Sequence, residues 1–117
     1  MKQVLRALLA LLLAVPVAAY AIGAIAVDDP DGDTEPGWGV STGHATRDEA
    51  RRAALQECRK AGNEKCKVVV WFDKCGAYAS SKTHYGVGWG ATKAIAERIA
   101  REKCEDASCK VIVSECE

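Results

Sequence analysis

Two copies of one pattern occupy most of this sequence, and that repetition limits the possible folds more than any single residue does. GAIAVD, GWG, EARRAALQEC and CKVVVWFDKC follow one another between Gly23 and Cys75; GAYASS, GWG, AIAERIAREKC and CKVIVSEC follow in the same order between Gly76 and Cys116. Three cysteines recur in register: Cys58 matches Cys104, Cys66 matches Cys109 and Cys75 matches Cys116. Each copy reads as strand, turn, strand, helix, strand. One such unit is too small to bury both faces of its own elements, so the two are expected to fuse. The expected fold is α+β: one mainly antiparallel sheet of about six strands, with both helices on one face and disulfides as staples. Repeat one spans residues 22–75 and repeat two residues 76–117, together forming a single domain, 22–117.

The chain begins as an exported one would. Lys2 and Arg6 form a positive flank, and Ala7 to Ala18 is an apolar run interrupted only by Pro16, too short to span a bilayer. Ala19 and Ala21 frame Tyr20 in an A-x-A arrangement, so residues 1–21 read as a signal peptide cut after Ala21, with Ala19 the second choice. No cysteine stands near either site to accept a lipid. No stable membrane anchor is expected after cleavage, and the location is periplasmic or secreted. Removing Lys2 and Arg6 leaves 14 basic against 16 acidic side chains. Nothing resembles the basic stripe that neutralises phosphates, which argues against nucleic acid as a partner.

Local signals place the elements. Thr46 with Glu49 reads as a capping box. Ala50, Ala53, Ala54, Cys58 and Ala61 fall at helical spacing behind it, and Gly62 with Asn63 supplies a stop. Thr92 is the matching N-cap for a helix carrying Ile95, Ala96, Ile99, Ala100 and Cys104. Lys67 to Phe72 is continuously apolar from Val68, which predicts a central strand covered on both sides. Apolar side chains on both faces of that strand also raise a homodimer. Five residues near Ser41 to Ala45 have no counterpart in the second copy.

Six cysteines allow fifteen pairings. The repeat selects Cys58 with Cys66 and Cys104 with Cys109, each pair joining a helix end to the next strand across a turn. Cys75 and Cys116 are left to link the two halves. A zinc site is the rival use of four thiolates, but there is no C-x-x-C, and an exported chain meets an oxidising compartment in which disulfides persist. An even, repeated set offers no spare nucleophilic thiol.

Other candidate sites are sparse. Asp29, Asp31 and Asp33 alternate as in a calcium loop, yet Thr34 replaces the turn glycine and Val40 the bidentate glutamate, so a solvated acidic hairpin tip is expected. Acid–base chemistry through imidazole would have to use His44 or His84, which occupy non-equivalent places in the two copies. Trp38 and Trp89, each between glycines, could frame a pseudo-symmetric binding groove with Tyr85 beside Trp89, or else pack on the helices. Arg47, Arg51, Arg52, Arg59 and Lys60 gather on the first helix, where they could meet an acidic partner or simply form a solvated face.

The doubled G-A-I-A or G-A-Y-A opening, the GWG triplets, the alanine-rich helices ending in Cys, and C-K-V-V-V or C-K-V-I-V resemble the exported bacterial family known as domain of unknown function 4189. The resemblance covers nearly all of the chain after residue 21. It implies a small secreted or periplasmic disulfide-containing α+β domain, and it carries no catalytic residues across. The functional expectation is a non-enzymatic binding module without metal or cofactor. Such a module would recognise a protein, as an inhibitor or immunity-type partner of an envelope-directed toxin or hydrolase. An envelope hydrolase using His44 or His84, and a released effector, are the alternatives.

Overall fold

A computed structural model describes residues 21–29 and 35–117. The expected signal peptide, apart from Ala21, lies outside the described residues, as do Asp31 and Asp33 of the acidic stretch. The elements run β1 (Ile22–Asp28), β2 (Gly37–His44), α1 (Arg47–Lys60), β3 (Lys67–Phe72), β4 (Cys75–Ser80), β5 (Tyr85–Gly90), α2 (Lys93–Cys104) and β6 (Lys110–Cys116). The two copies therefore have the same element order, and the chain is α+β. The strand registers correct the insertion: Val40 lies opposite Ile25 as Val87 lies opposite Tyr78, so Trp38 corresponds to Tyr85, the GWG triplets are not equivalent, and the first copy has one extra residue, at the bulge between Ser41 and His44, rather than five.

The sheet arrangement departs from the expectation. The described residues form two three-stranded antiparallel sheets, ordered β2-β1-β3 and β5-β4-β6, rather than one sheet of six. Side-chain size explains why. Along β1, Ala24 and Ala26 turn one way and meet Ala50, Ala54 and Cys58 of α1. Along β4, Ala77 and Ala79 meet Ala96, Ala100 and Cys104 of α2. The opposite faces carry the larger groups, Ile25, Val27, Val70, Phe72, Tyr78 and Val113, which form one shared core. Stacking the sheets face to face removes all of that apolar surface from water, whereas one flat sheet would leave it exposed. The layers run helix, sheet, sheet, helix, so the helices lie on opposite outer faces and not on one.

β3 is an edge strand and not a central one. Ile25 pairs with Val70 and Ala26 with Val68, which leaves Val69 as an extra residue. That bulge breaks the strict alternation, so Val69 and Val70 both serve the inter-sheet core while Val68 and Trp71 pack with α1. The continuous apolar run thus packs in two directions within the chain, onto α1 and onto the other sheet.

The caps match the sequence signals. Thr46 accepts a hydrogen bond from the Glu49 backbone N–H at 3.1 Å and Thr92 from that of Ile95 at 3.2 Å. After α1, Gly62 takes a left-handed φ of 95°; after α2 the same region is filled by Glu105, at 59°. Cys58 is bonded to Cys66, Cys104 to Cys109 and Cys75 to Cys116. The last bond does not link the two halves. Cys75 opens β4 and Cys116 ends β6, directly opposite each other in the second sheet.

Candidate functional site

The GWG triplets acquire their meaning from the alternation of side chains along a strand. Gly39 on β2 lies beneath α1, where a Cβ would overlap the backbone of Cys58; Gly86 and Gly88 on β5 lie beneath α2, where it would overlap the backbone around Ala96, Ala100 and Cys104. The glycines let each helix descend onto its sheet. Each tryptophan must then point away from the helix, and neither packs against one. Trp38 is 45% exposed, Trp89 62% and Tyr85 61%; these are the exposed large apolar side chains of the described residues.

Trp38 and Trp89 do not frame one groove. β2 and β5 are edges of different sheets. The sandwich sets β5 beside β3 and β2 beside β6, which puts the two indoles on opposite sides. Tyr85 and Trp89 share one edge of β5. Next to Trp89 a groove of about 430 Å³ runs along Val69, Val70, Phe72, Asp73 and Lys74. Tyr85 stacks on buried Tyr78 with centroids 6.0 Å apart, and the Lys67 ammonium lies 5.8 Å from the Tyr85 ring. Trp38 borders a separate depression with Pro36, Val40, Glu57 and Asn63.

The histidines lie apart and differ in surroundings. His44 is half-buried at the end of β2, opposite Ile22. His84 is exposed in the β4–β5 turn. Its Nδ1 is 2.8 Å from the Thr83 hydroxyl and 3.4 Å from Asp106 Oδ2. Both contacts fall on the same ring nitrogen, so the imidazole does not bridge carboxylate and hydroxyl as a catalytic triad requires. Asp106 organises this corner: it accepts from the Ser108 backbone N–H at 3.0 Å, the Ser108 hydroxyl at 2.9 Å and the Ser81 hydroxyl at 2.9 Å. Those donors, the Ser108 backbone first, hold its carboxyl down to about 2. A polar cleft of about 400 Å³ lies alongside, with Ser81, Lys82 and Lys110 in its wall.

Sequence reasoning missed the Asp106 hub, whose Asp-x-Ser spacing is the turn signature that could have disclosed it. It also missed the hydrogen bond from the Tyr78 hydroxyl to Asp29, which no local pattern announces. Burial first, and that bond second, raise the Tyr78 phenol well above its ordinary value. All six cysteines are bonded. Among the described residues no group of three or more His, Cys, Asp or Glu could hold a metal ion. The cationic face of α1 is partly engaged within the chain: Arg47 lies 3.9 Å over the Trp71 ring, and Arg51 faces Asp48 at 3.8 Å.

Three disulfides in so small a domain fit an oxidising, extracytoplasmic setting. No helix among the described residues is long and apolar enough to cross a membrane. The chain is similar to the protein Rv1269c of Mycobacterium tuberculosis, with 38% identity over 66 residues, 56% of this chain and 51% of the relative. It is also similar to the uncharacterized protein Rv1813c of the same organism, at 34% over 105 residues, 90% of this chain and 66% of the relative. It thus spans between half and two thirds of these relatives. No solved structure matches it significantly. A family model matches residues 22–116, nearly everything the structure describes, and the chain belongs to the family described as domain of unknown function DUF4189.

Proposed function

We propose that this protein is an exported, non-enzymatic binding module, held in the periplasm or released. It meets a protein partner through aromatic side chains on its sheet edges, in the manner of an inhibitor or immunity protein. One observation carries the reading: Trp38, Tyr85 and Trp89 stand exposed on edge strands, each turned away from the helix because the glycines beside it face one. Large, rigid aromatics on a stapled scaffold give contact area at low entropic cost, which suits an interface anchor.

The test is affinity capture with the oxidised protein from envelope and culture-medium fractions, with the reduced and alkylated chain as control. A protein retained only by the oxidised form is expected. Trp38→Ala or Trp89→Ala, whichever edge carries the contact, should weaken that retention by about tenfold or more. Equal retention by the reduced chain, or indifference to both substitutions, refutes the reading.

A hydrolase acting through His84 is the second reading, favoured by the Asp106 carboxylate beside its ring and the polar cleft next to it. An envelope-directed activity abolished by His84→Ala, with binding intact, would establish it in place of the first.

A further inference from the structure

Among the described residues the two small sheets present four strand edges without a further strand, and an unpaired edge invites another strand unless something blunts it. Three of the four are interrupted. β3 carries Val69 as an extra residue and β6 carries Ile112, because Tyr78 pairs with Val113 and Ala79 with Val111. β2 has one residue more than β1 between the pairs Ile22 with His44 and Ala24 with Ser41, with Gly43 there at a φ of 74°. Only β5 pairs without a break, from Tyr85 opposite Ser80 to Gly90 opposite Cys75. It contains no proline and no charged residue. It is also the edge that carries the two most exposed aromatics.

We infer that β5 is the seat of a two-fold homodimer, in which its free edge pairs antiparallel with the same edge of a second copy, centred on Val87. Two features of the strand name a second copy as the occupant. Symmetric pairing about Val87 sets Tyr85 opposite the second copy's Trp89, and the two-fold repeats that contact at the other end. Both rings project from the same face, at the separation where cross-strand aromatic pairs stabilise a sheet. Gly86 falls opposite the second copy's Gly88 on the other face, so the two strands add no side chain beneath the helices that lie over them.

Lys67 stands 5.8 Å from the Tyr85 ring, and Asp73 and Lys74 both lie with Trp89 in the wall of the groove. Bringing Tyr85 onto the second copy's Trp89 therefore brings Lys67 toward the end of the second copy's groove that carries both charges, so the aromatic register and not charge carries the pairing. The groove of about 430 Å³ is closed by the incoming edge. The outcome is a continuous six-stranded sheet made by two chains, with both α2 helices on one face.

Such a dimer narrows the binding reading, since Tyr85 and Trp89 become buried between copies and Trp38 is left for a foreign protein. It is tested separately, by sedimentation equilibrium of the oxidised protein over about 1 to 100 μM. The mass of two chains is expected. Tyr85→Lys and Trp89→Lys, both at exposed positions that leave the fold intact by circular dichroism, should each weaken self-association by about tenfold or more. The double variant Tyr85→Lys/Trp89→Glu puts opposite charges across the same register and should restore the dimer. A monomer throughout overturns the inference, as does a dimer that both lysine variants leave unchanged. A dimer that captures no foreign protein removes the binding reading alone; a monomer that captures one through Trp89 removes the dimer alone.

Discussion

Glu105 ends α2 in the left-handed region, at a φ of 59°, where its counterpart after α1 is Gly62 at 95°. A side chain with a Cβ is strained there and glycine is not. Glu105→Gly should therefore raise stability by about 0.4–1 kcal/mol, read as a higher urea midpoint at unchanged slope. A fall in midpoint would mean that the side chain makes a contact outweighing the strain. Next to it, Asp106 keeps its charge into strong acid because the Ser108 backbone, then the Ser108 and Ser81 hydroxyls, favour the carboxylate. Its folded value is depressed, so its contribution to stability is complete above the ordinary carboxylate value of about 3.9 and is lost as the pH falls toward about 2. A carboxyl NMR titration should place its midpoint near the lower figure, and Asp106→Asn should flatten the acid limb of the stability curve. A midpoint near 4 would show that the hydrogen bonds do not hold in solution.

The helices depend on what is missing beneath them. Gly39 under α1, and Gly86 and Gly88 under α2, leave room that a single methyl group would close against helix backbone. Backbone cannot swing aside as a long side chain can. Gly88→Ala should cost about 1–3 kcal/mol or more, as overpacking does, although alanine is otherwise the mildest of substitutions. Thermal unfolding of Gly88→Ala beside Trp89→Ala checks this, since the neighbouring side chain is exposed and its loss should matter little to the fold. An equal effect from both would refute the close approach. The same alternation shows what could be read in advance. Thr46, Thr92, the alanine faces and the six strands were legible from local spacing, because caps and periodicity act over a few residues. The stacking of the sheets was not, because it depends on Ile25, Phe72 and Tyr78 meeting across the chain, and a bulge at Val69 hid an edge strand inside a run that looked central. For the proposed binding surface, sequence picked out Trp38, Tyr85 and Trp89 but not their separation onto opposite edges, which is a property of the sandwich alone.

At the scale of the molecule, the three disulfides do different work. Cys58–Cys66 and Cys104–Cys109 close short loops, with separations of 8 and 5 residues, and each fixes the end of a helix to the strand that follows. Cys75–Cys116 closes a separation of 41 residues and clamps β4 to β6, so it encircles the whole second half of the chain. Constraint of the unfolded chain grows with loop length, by about 2–3 kcal/mol for the short loops and about 4 for the long one. The Cys75→Ser/Cys116→Ser pair should accordingly lose more stability than the Cys58→Ser/Cys66→Ser pair. The long bond's removal also frees the strand on which α2 and the shared core both rest: Ala77 and Ala79 face the helix while Tyr78 faces the other sheet. Loss of that clamp should loosen the second sheet first, seen in hydrogen exchange as faster amides along β4 and β6 than along β1 and β2. Equal losses from the two pairs, or first exchange in the first sheet, would show that the long bridge acts as no more than a local tie.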